Sequence, residues 1–169
     1  NPESLIWAVA GGDVLGCTYD ANNNILGWHH HTTQGHILSI AVTESAGSSY
    51  AWILVSRENA NGRYLAVELF DIAERLDSSL EFFDENGITE ISVPHLAGNT
   101  VSVLVDGAAH PDIDLDENAH GVLQFSGKTV VVGLSFVSTL ITLPVSIVGQ
   151  GGTNRQMPKR FNKIYVALN

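Results

Sequence analysis

The sequence predicts an all-β protein, and three observations predict it. Short apolar runs rich in β-branched residues alternate with clusters of Gly, Asn, Asp and Ser, with turn signals about every 8–12 residues. Apolar residues make up 44% of the 169-residue chain and charged residues only 15%, a composition that can bury a core. Only residues 71–76 (Asp-Ile-Ala-Glu-Arg-Leu) invite a helical turn, with Asp71 as a cap.

Taken in order, residues 4–10 form an apolar run with a Trp, closed by Gly11-Gly12-Asp13. Residues 14–19 follow, then the strong turn Asp20-Ala21-Asn22-Asn23-Asn24. Strands over 25–31, 36–43, 50–56 and 63–70 come next, each bounded by turn residues. Trp7 and Trp52 each sit inside an apolar strand that precedes a Tyr-bearing one (Tyr19, Tyr64). That offset of about 45 residues lies in the range of propeller-blade repeats. Residues 81–87 read as acidic and turn-like. Strands are expected at 100–106, ending on the hairpin signal Asp106-Gly107, and at 113–116, 121–125, 129–134 and 140–148. The segment 149–154 reads as a flexible loop, with a final strand after Pro158-Lys159-Arg160. The expected organisation is a β-meander with partial propeller-like sheets over 1–78. A small β-barrel or sandwich follows over 79–169. The opening Asn1-Pro2-Glu3 and the strand-like final residues suggest a piece of a longer chain.

Acidic residues outnumber basic ones 18 to 8, a formal net charge of −10. This disfavours a stand-alone nucleic-acid binder and a polybasic membrane-adhering surface. The run 130–148 is broken by Gly, Ser, Thr and Pro and reads as strands, not a membrane helix. Cys17 is the only cysteine, so no internal disulfide and no cysteine-rich zinc site can form. Within a strand it reads as a small buried thiol. Nucleophile-elbow, phosphate-loop and zincin motifs are absent from the sequence.

Three groups invite chemistry. His29 and His31 share one strand face, with His36 across a turn as a third ligand for Zn²⁺ or Ni²⁺; the plain alternative is a hairpin face carrying polar imidazoles. The carboxylates of the Asp112–Asn118 run resemble the start of a calcium loop, but Glu117 and Leu123 occupy the positions where Gly and Glu are needed. The alternative is a strand with Ile113 and Leu115 inward and the Asp side chains outward. Arg155, Lys159 and Arg160 form a basic patch suited to contact with a neighbouring subunit's acidic surface, or to passing DNA.

Several segments, in order along the chain, resemble a widespread phage and prophage family. They include Asn1-Pro2-Glu3-Ser4 through Trp7, Leu15-Gly16-Cys17-Thr18-Tyr19 and Gly27-Trp28-His29-His30-His31-Thr32-Thr33-Gln34-Gly35. They continue with Trp52 to Arg57, Gly62-Arg63-Tyr64, His95-Leu96-Ala97-Gly98 through Asp106-Gly107, the block from Val130 to Pro144, and Gly152 to Phe161. The family comprises tail or head–tail completion proteins, similar to the packaged-DNA stabilisation and tubular tail (nozzle) proteins of short-tailed phages. The resemblance implies propeller-like sheets followed by a β-barrel, assembled as a ring around a DNA channel in longer chains. His30, Ala97 and Ala10 depart from the family pattern, where Arg, an acidic residue and Arg are usual.

The expected function is therefore a non-catalytic, homo-oligomeric virion component of a tail, made in the host cytoplasm. Its partners would be copies of itself and other tail or portal proteins, with non-specific proximity to DNA. Neither a cofactor, a small-molecule substrate nor a membrane is expected. A carbohydrate- or receptor-binding β-module of a tail or surface adhesin is the alternative, and needs Trp7, Trp28 and Trp52 exposed on one face. A metal-dependent protein using His29, His31 and His36 is a further one.

Overall fold

Turn chemistry sets where the chain reverses. Asp106 and Gly107 both take positive φ (49° and 80°), the backbone that a two-residue hairpin turn matched to strand twist requires. Asp20 closes the next most marked turn with its carboxylate, which accepts the backbone N–H groups of Asn22 and Asn23 and the Asn23 side-chain amide. That amide holds the Asp20 carboxyl below the usual carboxylate range, against burial and with help from the two N–H groups.

The computed structural model describes residues 3–71, 74–139, 148–149 and 152–153. They are all-β, as the turn spacing predicts. Strands β1 (Glu3–Ala10), β2 (Asp13–Asp20) and β3 (Ile25–His31) form one antiparallel meander. Strands β4 (His36–Ser45), β5 (Ser48–Asn59) and β6 (Gly62–Phe70) form a second. A third sheet has the order β7-β10-β8-β9, built from β7 (Asp77–Ser92), β8 (Thr100–Val105), β9 (Ala108–Asp114) and β10 (His120–Leu134). A single 3₁₀ turn, Pro94–Leu96, leads from β7 towards β8. Residues Asn1–Phe136 make one compact unit. Val137–Asn169 make a second, in which β11 (Val148–Gly149) pairs with β12 (Gly152–Thr153).

The two meanders pack face to face. Val14 from the first meets Ile37, Ile53 and Val55 from the second, with Trp7, Val9, Ile40 and Phe70 around them. The third sheet buries its own, larger core, including Val93, Leu96, Val101, Val130 and Val132.

Several expectations change. The strands expected at 121–125 and 129–134 are one strand, β10. The acidic residues 81–87 lie within β7, not between strands. Their turn chemistry survives as a bulge: the register jumps from Phe83 to Ile88 opposite Thr129 and Gly127. There Asp84 accepts the Asn86 N–H. The strand expected at 113–116 begins earlier, at Ala108, because the Asp106-Gly107 turn is only two residues long. Among the described residues no sheet closes into a barrel, β7 and β9 being the edges of the third, and the two meanders show no propeller arrangement. The Trp repeat is not structural either: Trp7 lies on the first strand of its sheet and Trp52 on the central strand of its own. Near the expected 71–76 helical turn, the Glu74 N–H bonds the Asp71 carbonyl; residues 72 and 73 lie outside the described set, as do most of 140–148 and the final strand.

Leu96 is 1% exposed within the larger core. Leu96→Ala should therefore cost about 2–5 kcal/mol, read as a lower urea midpoint with an unchanged slope.

Candidate functional site

The strand alternation that the sequence implies does put His29 and His31 on one face. Cross-strand register aligns Trp7, Gly16 and His29 in one row, and Val9, Val14 and His31 in the next. Gly16 is the reason the row closes up: a Cβ there would collide with the His29 ring and lie 2.7 Å from Trp7. Across that gap Trp7 meets His29 edge-on at 5.6 Å and His31 at 5.8 Å. Phe70, the last residue of β6, reaches over from the second meander to within 4.8 Å of His31 and 5.2 Å of Trp7.

The two imidazoles bond each other. His29 Nδ1 lies 2.6 Å from His31 Nε2, and His29 Nε2 lies 3.4 Å from Thr18 Oγ1. At 2.6 Å one nitrogen carries the proton and the other accepts it, so the pair is not doubly protonated. Burial, then the neighbouring His29 and His30, hold His31 below the ordinary imidazole range.

The expected third ligand is elsewhere. His36 is exposed and its ring packs over Gly12, while His30 is on the opposite face, 2.8 Å from Asp13. Among the described residues no three metal-ligating side chains converge. The Asp112–Asn118 run divides in the same way. Ile113 and Leu115 are buried, and the carboxylates serve separate local donors. Asp112 accepts from Ser102, Asp114 from Thr100, and Asp116 from the N–H groups of Asn118 and His120. Cys17 is buried on β2. Arg155, Lys159 and Arg160 lie outside the described residues.

The most heavily bonded polar centre was not singled out from the sequence. Arg57 of β5 is 3% exposed. Its Nε and Nη2 donate to the two Glu68 carboxylate oxygens, each at 2.7 Å. Nη2 also donates to Asp77 Oδ1 at 2.9 Å, and Nη1 to the Gln34 carbonyl. Thr33 and Ser78 add hydroxyl bonds to Asp77 and Glu68. Burial opposes the Arg57 charge, but its bonds to Glu68 and Asp77 outweigh that and raise its pKa. The readable signal was an arginine on the inward period of an otherwise apolar strand.

The tryptophans do not share a face. Trp7 points between the meanders. Trp28 is 69% exposed on the other side of the same sheet, and Trp52 lies on the outer side of the second sheet, donating to Thr43. Around Trp28 stand the exposed Ile6, Tyr19 and Leu26; around Trp52 stand Tyr50, Leu65, Val67 and Leu69. Both meanders thus carry apolar residues on their outer faces as well as their inner ones. The polar pairs on the outer faces, Asp13–His30 and Glu58 opposite Arg63, lie at strand ends.

Comparison with protein-family models, with curated proteins and with solved structures gives no match.

Two outcomes follow from this geometry. Arg57→Ala should destabilise the fold by about 3–5 kcal/mol, because two carboxylates lose their buried counter-charge. Arg57→Lys should recover only part of that, since an ammonium cannot reproduce the fork; denaturant midpoints of both variants check it. Gly16→Ala should cost about 1–3 kcal/mol by overpacking and shift Trp emission, whereas Gly27→Ala on the same face meets open space and should leave emission unchanged.

Proposed function

We propose that this chain is a non-catalytic structural part of a phage or prophage tail, in the head–tail or nozzle region, and that it assembles as a ring around the DNA channel. One observation carries the reading: both outer faces of the stacked meanders are apolar. A sheet face that stays in water ordinarily alternates polar residues outward. Leu65 and Val67, at 63% and 70% exposure, and Leu26 and Trp28, at 67% and 69%, break that rule. Contiguous apolar surface of this kind marks a protein contact. Copies of the chain and other tail or portal proteins are the proposed cover. The ordered resemblance to tail completion proteins supports the same reading. The net charge of −10 supports a channel that repels the phosphate backbone and lets DNA slide.

The glycan- or receptor-binding alternative needs one aromatic platform. Trp7, Trp28 and Trp52 on three different surfaces do not supply it.

Mass-spectrometric peptide counting on purified particles tests the proposal. Peptides at a fixed multi-copy ratio to the portal protein are expected, and their absence from complete particles would refute it. In solution, the double variant Leu65→Lys/Val67→Lys should sediment as a smaller species than the parent at equal concentration. Its thermal midpoint should fall only by the stabilisation that assembly lends the parent, and should no longer depend on protein concentration.

A further inference from the structure

We propose that the His29–His31 pair is an acid-operated latch between the β1–β3 sheet and the β4–β6 sheet. The pair occupies the contact between them: His31 and Trp7 both rest on Phe70, which belongs to the second sheet. Its integrity depends on protonation. With the pair neutral, one N–H is shared between His29 Nδ1 and His31 Nε2 across 2.6 Å. A first added proton can go to an outward-facing nitrogen and leave that bond intact. A second turns the facing nitrogens into two donors with no acceptor between them. At 2.6 Å they must separate, and the rings cannot separate without leaving Phe70 or Trp7.

The surroundings do not absorb the second charge. From β1 the facing group is the Trp7 ring, and from β2 the Thr18 hydroxyl. From β6 it is Phe70, whose π-face favours a single cation modestly. Glu68, two residues earlier on the same strand face, is held by the Arg57 fork and Ser78. Asp71, the next residue, is engaged as well. From β4 and β5 the facing residues are Ile37, Ile40, Ile53 and Val55. On β3 itself, His30 points away to Asp13. The influences on His31 are burial first, then His29 and His30, all disfavouring its charge.

The sign follows by linkage. The unfolded chain, with ordinary imidazoles near pH 6.5, binds the proton more readily than the folded one. The stabilisation is therefore complete above about pH 6.5 and is lost as the pH falls through the lower folded value.

The test uses the full chain carrying Trp28→Phe and Trp52→Phe, so that emission reports Trp7 alone. Between pH 7.5 and 4.5 a cooperative emission step is expected below pH 6.5. Corrected amide exchange in β1 and β6 should accelerate in the same range, by about tenfold for each unit that His31 lies below its ordinary value. Adding His31→Gln should abolish both changes, and adding His30→Gln should leave both in place. A step that survives His31→Gln would overturn the latch, as would β1 and β6 exchange that stays flat to pH 4.5. If the His31→Gln protein does not fold, the parent decides by NMR titration of its imidazoles. Titration of His31 below the ordinary imidazole range, coincident with the exchange change, supports the latch. Titration of His31 near pH 6.5, independent of the exchange change, refutes it.

Discussion

Arg57 is the constraint on which the arrangement of the three sheets depends. A guanidinium removed from water is tolerated only if its donors are all answered, and the answers come from different parts of the chain. Glu68 answers from the neighbouring strand, Gln34 from the loop that leaves the first meander, and Asp77 from the start of the third sheet. Each partner then fixes something else. Thr33 is tied to Asp77, and Ser78, which shares Glu68, gives its carbonyl to His95 within the 3₁₀ turn. The planar fork orients these segments in a way that apolar packing, which is non-directional, does not. Nearby, Asn59 and Ala60 bond the Pro94, His95 and Ala97 carbonyls, so the β5–β6 turn is seated against the third sheet as well.

The first meander is held to the second by a softer device. Gly16 removes one side chain from a sheet face, and the vacancy lets an indole and two imidazoles share a single surface. Phe70 closes that surface from outside. Aromatic edges gather there with few hydrogen bonds to fix them, so the contact responds to protonation in a way that the Arg57 junction, with a permanently charged centre, does not.

The local elements were legible in the sequence because turns carry their own chemistry. Asp20 and Asp116 each bond backbone N–H groups within or beside their own turns, Asp106 and Gly107 take the positive φ of a two-residue hairpin, and strands β1 to β6 fall between the turn signals. The alternation that predicted Ile113 and Leu115 inward was equally readable. What was not legible was non-local. Residues 84–87 carry turn chemistry, yet β7 runs through them because β10 supplies a long partner on both sides of the bulge. His36 follows the histidine run closely in sequence, but β4 begins a new sheet and takes it away from His29 and His31. Arg57 offered only its wrong polarity for an inward position, and its partners lie 11, 20 and 23 residues away.

The acidic balance takes on a different meaning once the carboxylates are placed. Asp20, Asp84, Asp106 and Asp116 accept backbone N–H groups at turns and bulges, Glu68 and Asp77 neutralise Arg57, and Asp112 and Asp114 hold cross-strand hydroxyls. These carboxylates were required by the fold, whatever surrounds the protein. The charge-poor outer faces of the two meanders have no such explanation. Exposed leucine, valine and tryptophan at Leu26, Trp28, Leu65 and Val67 contribute nothing to the core of this unit and weaken its solubility. A chain whose carboxylates cluster at turns while its broad sheet faces stay uncharged is suited to stacking through those faces. Its remaining negative charge would then lie around the rim of the contact, where screening by solvent makes repulsion between neighbours weak.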